Sequence, residues 1–203
     1  METGQSSEVS RQLRLQRQRL ARWLKEWELD QILRGELAED PSLQGPARQT
    51  PRTVTKSEFS YTKAAKQLKV GDIRLLYPAR GISSERPVYV VVLDQRPNHK
   101  LLVAPFGRFA EPALTGEWLT RLAAVPLRVL CLWNSRTIPA QALLNTSWPA
   151  GRMKADKIAQ ALEVHCHINA KAPLTSVSPD TLGPSLRHPL DPRHQYLLEE
   201  ADI

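Results

Sequence analysis

The sequence predicts a mainly β protein with some α-helix. We expect a small, partly open barrel with a terminal helix, preceded by a long N-terminal helical arm. Three observations support this fold class. Several short apolar segments of strand length lie between residues 73 and 133. An amphipathic helical segment follows them and ends near Leu162, and a charged stretch without proline covers residues 1–40.

Composition divides the chain into four zones. Residues 1–40 form the helical charged arm, residues 41–68 a linker with a short helix, residues 69–170 the barrel domain and residues 171–203 a Pro-rich C-terminal tail. Prolines mark the linker and the tail, with three in residues 41–57 and five in residues 173–203. Neither segment has sustained periodicity. We expect the tail to be extended or draped over the surface.

The arm combines an apolar stripe with a polarised distribution of charge. The stripe recurs at steps of three and four residues and comprises Leu13, Leu20, Trp23, Leu24, Trp27 and Leu33. Basic residues crowd the first half of the arm and acidic residues the second, which opposes the helix macrodipole. Such a helix needs a surface to pack on. The sequence leaves open whether this surface is the barrel, a second copy or another protein.

The barrel zone begins with three predicted strands. The first covers Ile73–Tyr77. The second, Val88–Leu93, is a continuous apolar run rich in β-branched residues, which is typical of a strand buried on both faces. A turn over Arg96–His99 then returns the chain as Lys100–Pro105, the hairpin partner of the second strand.

A fourth strand and two helical segments complete the zone. Leu127–Trp133 has the length and apolar character of a strand and follows a long irregular segment. Pro139 is suited to start a helical turn. The terminal helix has one apolar face, marked by Ala155, Ile158, Ala159 and Leu162.

The chain is basic, with a net charge of +7 and a pI of about 9.7. A positive balance favours polyanionic partners, because each Lys or Arg that meets a phosphate releases condensed counterions. Nucleic acid is therefore the partner class that composition favours, although ordinary basic proteins share this property.

Composition also indicates the cellular compartment in which we expect the protein. The N-terminus carries Arg and Gln where a signal peptide has an apolar core, and no run of about 18 apolar residues predicts a membrane span. The two cysteines, Cys131 and Cys166, lie in apolar stretches and fit a reducing environment. We expect a cytoplasmic protein that does not associate with membranes.

The triplet His165-Cys166-His167 is the one pattern that resembles a metal site. In an extended chain the two histidines project to one face and Cys166 to the other, so the three side chains do not converge. Histidines two residues apart, without a second ligand pair, lack the spacing of a zinc site. We therefore predict no metal and no cofactor.

Three short motifs occur in a fixed order through the barrel zone. Gly71-Asp72 opens the first strand and Arg86-Pro87 opens the second, after a loop. Arg136-Thr137-Ile138 follows the fourth strand and precedes the helical region Ala150–Leu162. This ordered set resembles the PemK/MazF family of small SH3-like toxin barrels, whose studied members are ribonucleases that act on messenger RNA. The resemblance covers roughly residues 69–170.

The resemblance implies a function and a set of site residues. It implies a toxin–antitoxin-related endoribonuclease that cleaves single-stranded RNA without a metal, and a homodimer of barrels. Arg86 stands at the position of the family's catalytic arginine. A guanidinium suits this role, because it can brace a phosphate as negative charge builds. The candidate substrate-binding residues are Ser83, Ser84, Arg108 and Arg136. An antitoxin-like or other protein partner is expected to bind through residues 8–37.

One position departs from the family pattern. The family's ribonucleases carry a Thr or Ser after the third strand, and here that position falls on Gly107. Glycine has no side chain to donate or accept a proton, so we expect cleavage to be weakened or lost. The alternative is a non-catalytic barrel module that binds nucleic acid or a protein partner and docks through its N-terminal helix.

Overall fold

A computed structural model describes residues 3–39, 68–76, 88–122, 127–186 and 188–201. The described helices are α1 (Thr3–Glu39), α2 (Ala140–Thr146), α3 (Ala155–Ala170) and α4 (Arg193–Ala201). The described strands are β1 (Asp72–Leu76), β2 (Val88–Arg96), β3 (Lys100–Pro105), β4 (Glu117–Leu119), β5 (Val129–Cys131), β6 (Arg136–Pro139) and β7 (Ser147–Arg152). Short 3-10 turns follow β5 and precede α4.

Helix α1 confirms the prediction of a long N-terminal helix. It runs for 37 residues, with no acidic residue in its first turn and no basic residue in its last, so neither end compensates the helix dipole. The chain divides into two compact units. The first comprises Met1–Trp23 together with Leu68–Ile203, and the second comprises Leu24–Gln67. The start of α1 therefore belongs to the same compact unit as the sheet.

Five strands form one antiparallel sheet, in the order β6-β3-β2-β1-β7. The hairpin between β2 and β3 is the predicted one, with Arg96 paired to Lys100. Asn98 and His99 take positive φ in its turn, a conformation that asparagine adopts more readily than most residues. Strands β4 and β5 form a separate two-stranded sheet.

Strand β2 is buried on both faces, as its unbroken apolar run predicts. Val91 and Leu93 belong to the larger apolar cluster, which also contains Ile158 and Val164 of α3. Val90 and Val92 point the other way, into a second cluster with Leu143 of α2. Because side chains alternate along a strand, one six-residue run supplies both cores.

The fold class is confirmed at the level of a mixed α and β protein with an antiparallel sheet. In the described residues β6 and β7 stand at opposite edges of that sheet. β7 was not predicted, because Pro149 and Gly151 are unusual in strands and its residues after Ser147 are exposed. The predicted fourth strand is shorter than expected, since Leu132–Asn134 form a 3-10 turn.

The C-terminal tail differs from the expected extended chain. It ends in helix α4, whose Arg193, Tyr196 and Glu200 are buried. Arg193 anchors the start of this helix, because its guanidinium donates to the carbonyl oxygens of Ala113 at 2.7 Å and Pro184 at 3.1 Å. A tail with five prolines carries a packed helix because all nine residues of α4 lie beyond the final proline, Pro192.

Of the predicted apolar stripe of the arm, Trp23 joins this packing, whereas Leu13 and Leu33 are 50% and 48% exposed. Trp23 is fully buried, and its ring centroid lies 5.9 Å from that of Phe109 and 5.3 Å from that of Tyr196 in α4. Arg19 and Arg22 both bind the carboxylate of Glu111. The part of α1 from Arg19 to Trp23 thus packs on its own chain, against Phe109, Glu111 and helix α4.

Two further expectations concern α3 and membranes. His165-Cys166-His167 lies within α3, so the argument from an extended chain does not apply to this triplet. In the described part of the chain, no helix combines the length and the apolar composition needed to cross a bilayer.

Candidate functional site

Gly107 follows β3 in a closely packed position. Its N–H donates to the carbonyl of Val129 at 2.9 Å. A Cβ placed on Gly107 would lie 3.2 Å from Sγ of Cys131 and 3.7 Å from the hydroxyl of Tyr196. Gly107 is not among the glycines with positive φ, so space rather than backbone conformation limits what this position holds.

Arg108, a predicted substrate-binding residue, is occupied by the C-terminal helix. Its Nε lies 2.5 Å from Oε1 of Glu200 and its Nη2 lies 2.9 Å from Oε2 of Glu199. The guanidinium carbon also stands over the rings of Phe109 and Tyr196, at 5.3 and 5.8 Å from their centroids. Two carboxylates therefore neutralise the positive charge of Arg108, which we had expected to bind a phosphate of the substrate.

Arg136, the second described candidate, also contacts α4. It lies at the start of β6, where its Nη2 donates to the carbonyl of Ala201 at 2.6 Å and its Nε to Oδ1 of Asn134 at 3.2 Å. Asn134 in turn donates to the carbonyl of Glu200 at 2.9 Å. These bonds satisfy carbonyl groups that the end of a helix leaves without internal partners.

The other predicted site residues, Arg86, Ser83 and Ser84, lie outside the described residues. Of the predicted site residues, the structure therefore describes Arg108 and Arg136 alone. Both contact the last residues of α4, so the two side chains bind the same helix end.

A buried carboxylate lies beneath this surface, in a set of three residues that we call the Glu117 cluster: Glu117, Cys131 and Tyr196. Oε2 of Glu117 accepts hydrogen bonds from the backbone N–H groups of Ala113 at 2.6 Å and Leu114 at 3.1 Å. Oε1 accepts one from the hydroxyl of Tyr196 at 2.9 Å, and Sγ of Cys131 lies 3.8 Å away. All three side chains are almost fully buried.

Burial controls the ionisation of the Glu117 cluster. It raises the pKa of Glu117 from 4.5 to about 7, because desolvation penalises the carboxylate more than the hydrogen bonds stabilise it. Burial also raises the pKa values of the Cys131 thiol and the Tyr196 phenol well above their usual ranges. Cys131 therefore stays a neutral thiol near neutral pH and is a poor nucleophile.

Sequence reasoning missed Glu117. A single acidic residue next to Trp118 and Leu119 reads as an ordinary strand residue, and its contact with Tyr196 spans 79 positions. In the structure every residue of the short strand Glu117–Leu119 is buried, and a charged residue at such a position needs internal partners. The residues next to Glu117 in the sequence give no sign of this burial.

A basic surface lies on the first half of α1. Arg14 and Arg17 are exposed and form no ion pair with any described residue. Their neighbours Arg19 and Arg22 are bound to carboxylates, at 3.7 and 2.8 Å from those of Glu111. Arg14 and Arg17 are three positions apart and so lie next to each other on the helix surface.

An open, mostly apolar groove with a volume of about 600 Å³ borders the start of α3. The groove is lined by Val70, Arg152, Met153, Lys154, Ala155, Ile158, Ala159 and Leu162. Arg152 lies 3.4 Å from the carboxylate of Asp72, which offsets part of its charge. Among the described residues, no group of three or more His, Cys, Asp or Glu side chains is arranged to hold a metal ion.

The surroundings of Gly107 and Arg108, the basic surface of α1 and the groove beside α3 are thus the described features that bear on function. Comparison with family models, curated proteins and solved structures finds no match for this chain.

Proposed function

We propose that this protein is a PemK/MazF-like module that binds single-stranded RNA and does not cleave it. The proposal rests on the ordered motifs for the fold and on the basic charge for the ligand. One structural observation supports the proposed loss of cleavage, namely the surroundings of Gly107 and Arg108.

The position that carries a hydroxyl in the family's ribonucleases faces the protein interior here. A Cβ on Gly107 would lie 3.2 Å from Sγ of Cys131 and 3.7 Å from the hydroxyl of Tyr196, so a Thr or Ser would be directed towards these buried side chains. Arg108 beside it is bound by Glu199 and Glu200. A guanidinium held by two carboxylates does not contribute free positive charge to a transition state.

The exposed arginines of α1 support RNA binding. Arg14 and Arg17 are neighbouring cations with no ion pair among the described residues, so they can contact phosphates without first breaking such a pair. Binding through phosphates is independent of sequence and depends strongly on salt concentration. We therefore expect RNA binding with little preference for base sequence.

Removing these charges is expected to weaken RNA binding. The double variant Arg14→Gln/Arg17→Gln should bind a fluorescent single-stranded RNA roughly tenfold less tightly. The plot of the logarithm of the association constant against the logarithm of the salt concentration has a negative slope. The magnitude of this slope should decrease by about 1.4, because each lost phosphate contact contributes about 0.7. Fluorescence anisotropy over a salt series measures both quantities.

The matched control removes two exposed charges elsewhere. Lys100→Gln/Lys171→Gln changes the net charge by the same amount at residues far from α1 in sequence. The control should lose much less affinity than the α1 variant. Equal losses in the two variants would assign the binding to net charge alone and contradict the role of α1.

The second candidate function is a metal-independent endoribonuclease, favoured by the match of Arg86-Pro87 to the family's catalytic motif. The proposed function expects long single-stranded RNA to stay intact with the wild-type protein in EDTA. If RNA is cleaved instead, Arg86→Ala should lower the rate roughly a hundredfold, the scale for losing a transition-state charge stabiliser. Denaturing gels over a time course measure this.

The control for that experiment is Arg121→Ala, which removes an exposed arginine that is not among the predicted site residues. Cleavage that survives in both variants points to a contaminating nuclease and leaves Arg86 without a catalytic role. Cleavage lost only in Arg86→Ala, with unchanged circular dichroism, replaces the proposed function with the second one.

A further inference from the structure

The face of α4 that is buried against the rest of the protein is largely polar. Its three buried residues are Arg193, Tyr196 and Glu200, whereas Leu198 of the same helix is 70% exposed. A surface helix usually packs with its aliphatic side chains inward. Apart from the ring of Tyr196, the buried residues of α4 hold the helix through hydrogen bonds and ion pairs, whose strength depends on the charges of the partners.

The Glu117 cluster lies beneath this face. The hydroxyl of Tyr196 donates to Oε1 of Glu117 at 2.9 Å, while backbone N–H groups of Ala113 and Leu114 occupy Oε2. Both Glu117 and Tyr196 are buried. Helix α4 therefore keeps water away from the Oε1 side of the carboxyl group, and undocking of α4 would let water reach it.

The charged and titratable groups that face Glu117 lie on α4, in β5 and just after β3. From α4, Glu200 adds a like charge, and in β5 the thiol of Cys131 lies 3.8 Å from Oε1. Arg108, which follows β3, pairs with Glu200 at 2.5 Å. Among the described residues Glu117 itself forms no ion pair. Loss of its proton thus leaves a buried charge without a cation under α4.

We propose that α4 is a latch over the Glu117 cluster, which opens locally and without global unfolding as Glu117 loses its proton. Burial raises the pKa of Glu117 from 4.5 to about 7, so this proton is lost close to neutral pH. In the open form the carboxyl group meets water and binds the proton less tightly than in the closed form. The latch is therefore most tightly closed below about pH 4.5, and opening becomes more favourable as the pH rises through about 7.

Opening of the latch changes the charge that the protein presents. The end of α4 binds Arg108 through the carboxylate of Glu200 and Arg136 through the carbonyl of Ala201. Both guanidinium groups lose these partners when α4 undocks. The fraction of molecules that expose the two cations to solvent therefore increases with pH.

The thiol of Cys131 reports on the latch, because it is buried in the same cluster. The variant Cys166→Ser removes the exposed second cysteine and leaves Cys131 as the only thiol. Its rate of reaction with dithiodipyridine is divided by the rate for the same chain unfolded in urea at the same pH. This ratio cancels the direct effect of pH on the thiol and gives the equilibrium constant for opening.

The opening constant should rise between pH 5 and pH 8 by about tenfold to about seventyfold, the upper limit applying if the pKa of Glu117 returns fully to 4.5 in the open form. In Glu117→Gln the constant should not change with pH. The control Glu163→Gln should keep the full rise, since the pKa of Glu163 is about 2 and this group does not titrate in the range. A wild-type constant that is flat, or a rise that persists in Glu117→Gln, would overturn the proposal.

A pair of glycine variants tests whether α4 is the element that opens. Leu198→Gly weakens α4 at an exposed position and should raise the opening constant roughly fourfold at both pH values. Ala159→Gly makes a comparable change at an exposed position of α3 and should leave the constant unchanged. Equal effects of the two variants would assign the opening to another element and overturn the proposal.

The urea dependence of the reaction separates local opening from global unfolding. Undocking of a nine-residue helix exposes little surface, so the opening constant should depend only weakly on urea below the unfolding transition. A urea dependence as steep as that of global unfolding would contradict a latch. These measurements contain no RNA, so their failure leaves the proposed function unaffected.

Discussion

Replacing Trp23 by alanine is expected to lower the free energy of unfolding by about 3–5 kcal/mol, the range for removing a large aromatic side chain from a core. Trp23 is 0% exposed. Its ring meets Phe109 edge to face, at an interplanar angle of 85°, and packs against Tyr196 at 60°. The substitution therefore leaves a cavity between three segments that are far apart in sequence.

Urea unfolding followed by circular dichroism measures this loss. The control is Leu13→Ala, on the same helix but 50% exposed, which should change stability by about 0.5 kcal/mol or less. A Trp23→Ala protein as stable as the control would show that the start of α1 does not contribute to the core. Phe109→Ala should reproduce much of this loss of stability, because it removes the other ring of the same edge-to-face contact.

The largest expected pH effect belongs to Glu117. Its pKa is raised in the folded state to about 7 from 4.5, so the folded protein binds more protons than the unfolded chain between these two values. Stability from this group is therefore fully present below about pH 4.5 and is lost as pH rises through about 7. The loss amounts to about 3 kcal/mol by the usual conversion of pKa shifts.

The variant Glu117→Gln should remove this dependence, because glutamine resembles the protonated carboxyl group and does not titrate. Relative to the wild type, the variant should be about 3 kcal/mol more stable at pH 8 than at pH 5. Cys131 and Tyr196 do not interfere, since burial keeps both neutral in this range. Urea unfolding of both proteins at the two pH values gives the difference.

Glu163→Gln provides the control with the opposite sign. Hydrogen bonds from Ser176 and Thr175 lower the pKa of Glu163 to about 2, so its contribution is present above about pH 4.5 and is lost as pH falls towards 2. Between pH 5 and pH 8 this contribution is constant, and the variant should shift stability equally at both values. A Glu117→Gln difference as flat as this control would contradict the raised pKa of Glu117.

The elements that sequence predicted well are those with a local signal. The apolar run of β2 predicted its burial on both faces, and the spacing of Ile158 and Leu162 predicted α3. These patterns depend on the period of a strand or a helix, which neighbouring residues alone determine. The arm was predicted as a helix for the same reason.

The elements that it missed depend on contacts between distant residues. Strand β7 exists because Ser147–Arg152 pairs with β1, more than 70 positions earlier in the chain. Helix α4 is held by Arg108 and Arg136, which sequence reasoning had assigned to a substrate. An arginine that binds a phosphate and one that binds a helix end have the same local pattern, so only the fold distinguishes them.

The two edges of the five-stranded sheet share a feature with a consequence for solubility. Strand β6 contains Arg136 and Pro139, and strand β7 contains Pro149 and Arg152. Proline has no N–H to offer an incoming strand, and a charged side chain makes edge-to-edge stacking costly. Both edges, as the described residues form them, thus resist the growth of sheets from one molecule to the next, and we expect this to disfavour amyloid-like aggregation in a concentrated solution of the protein.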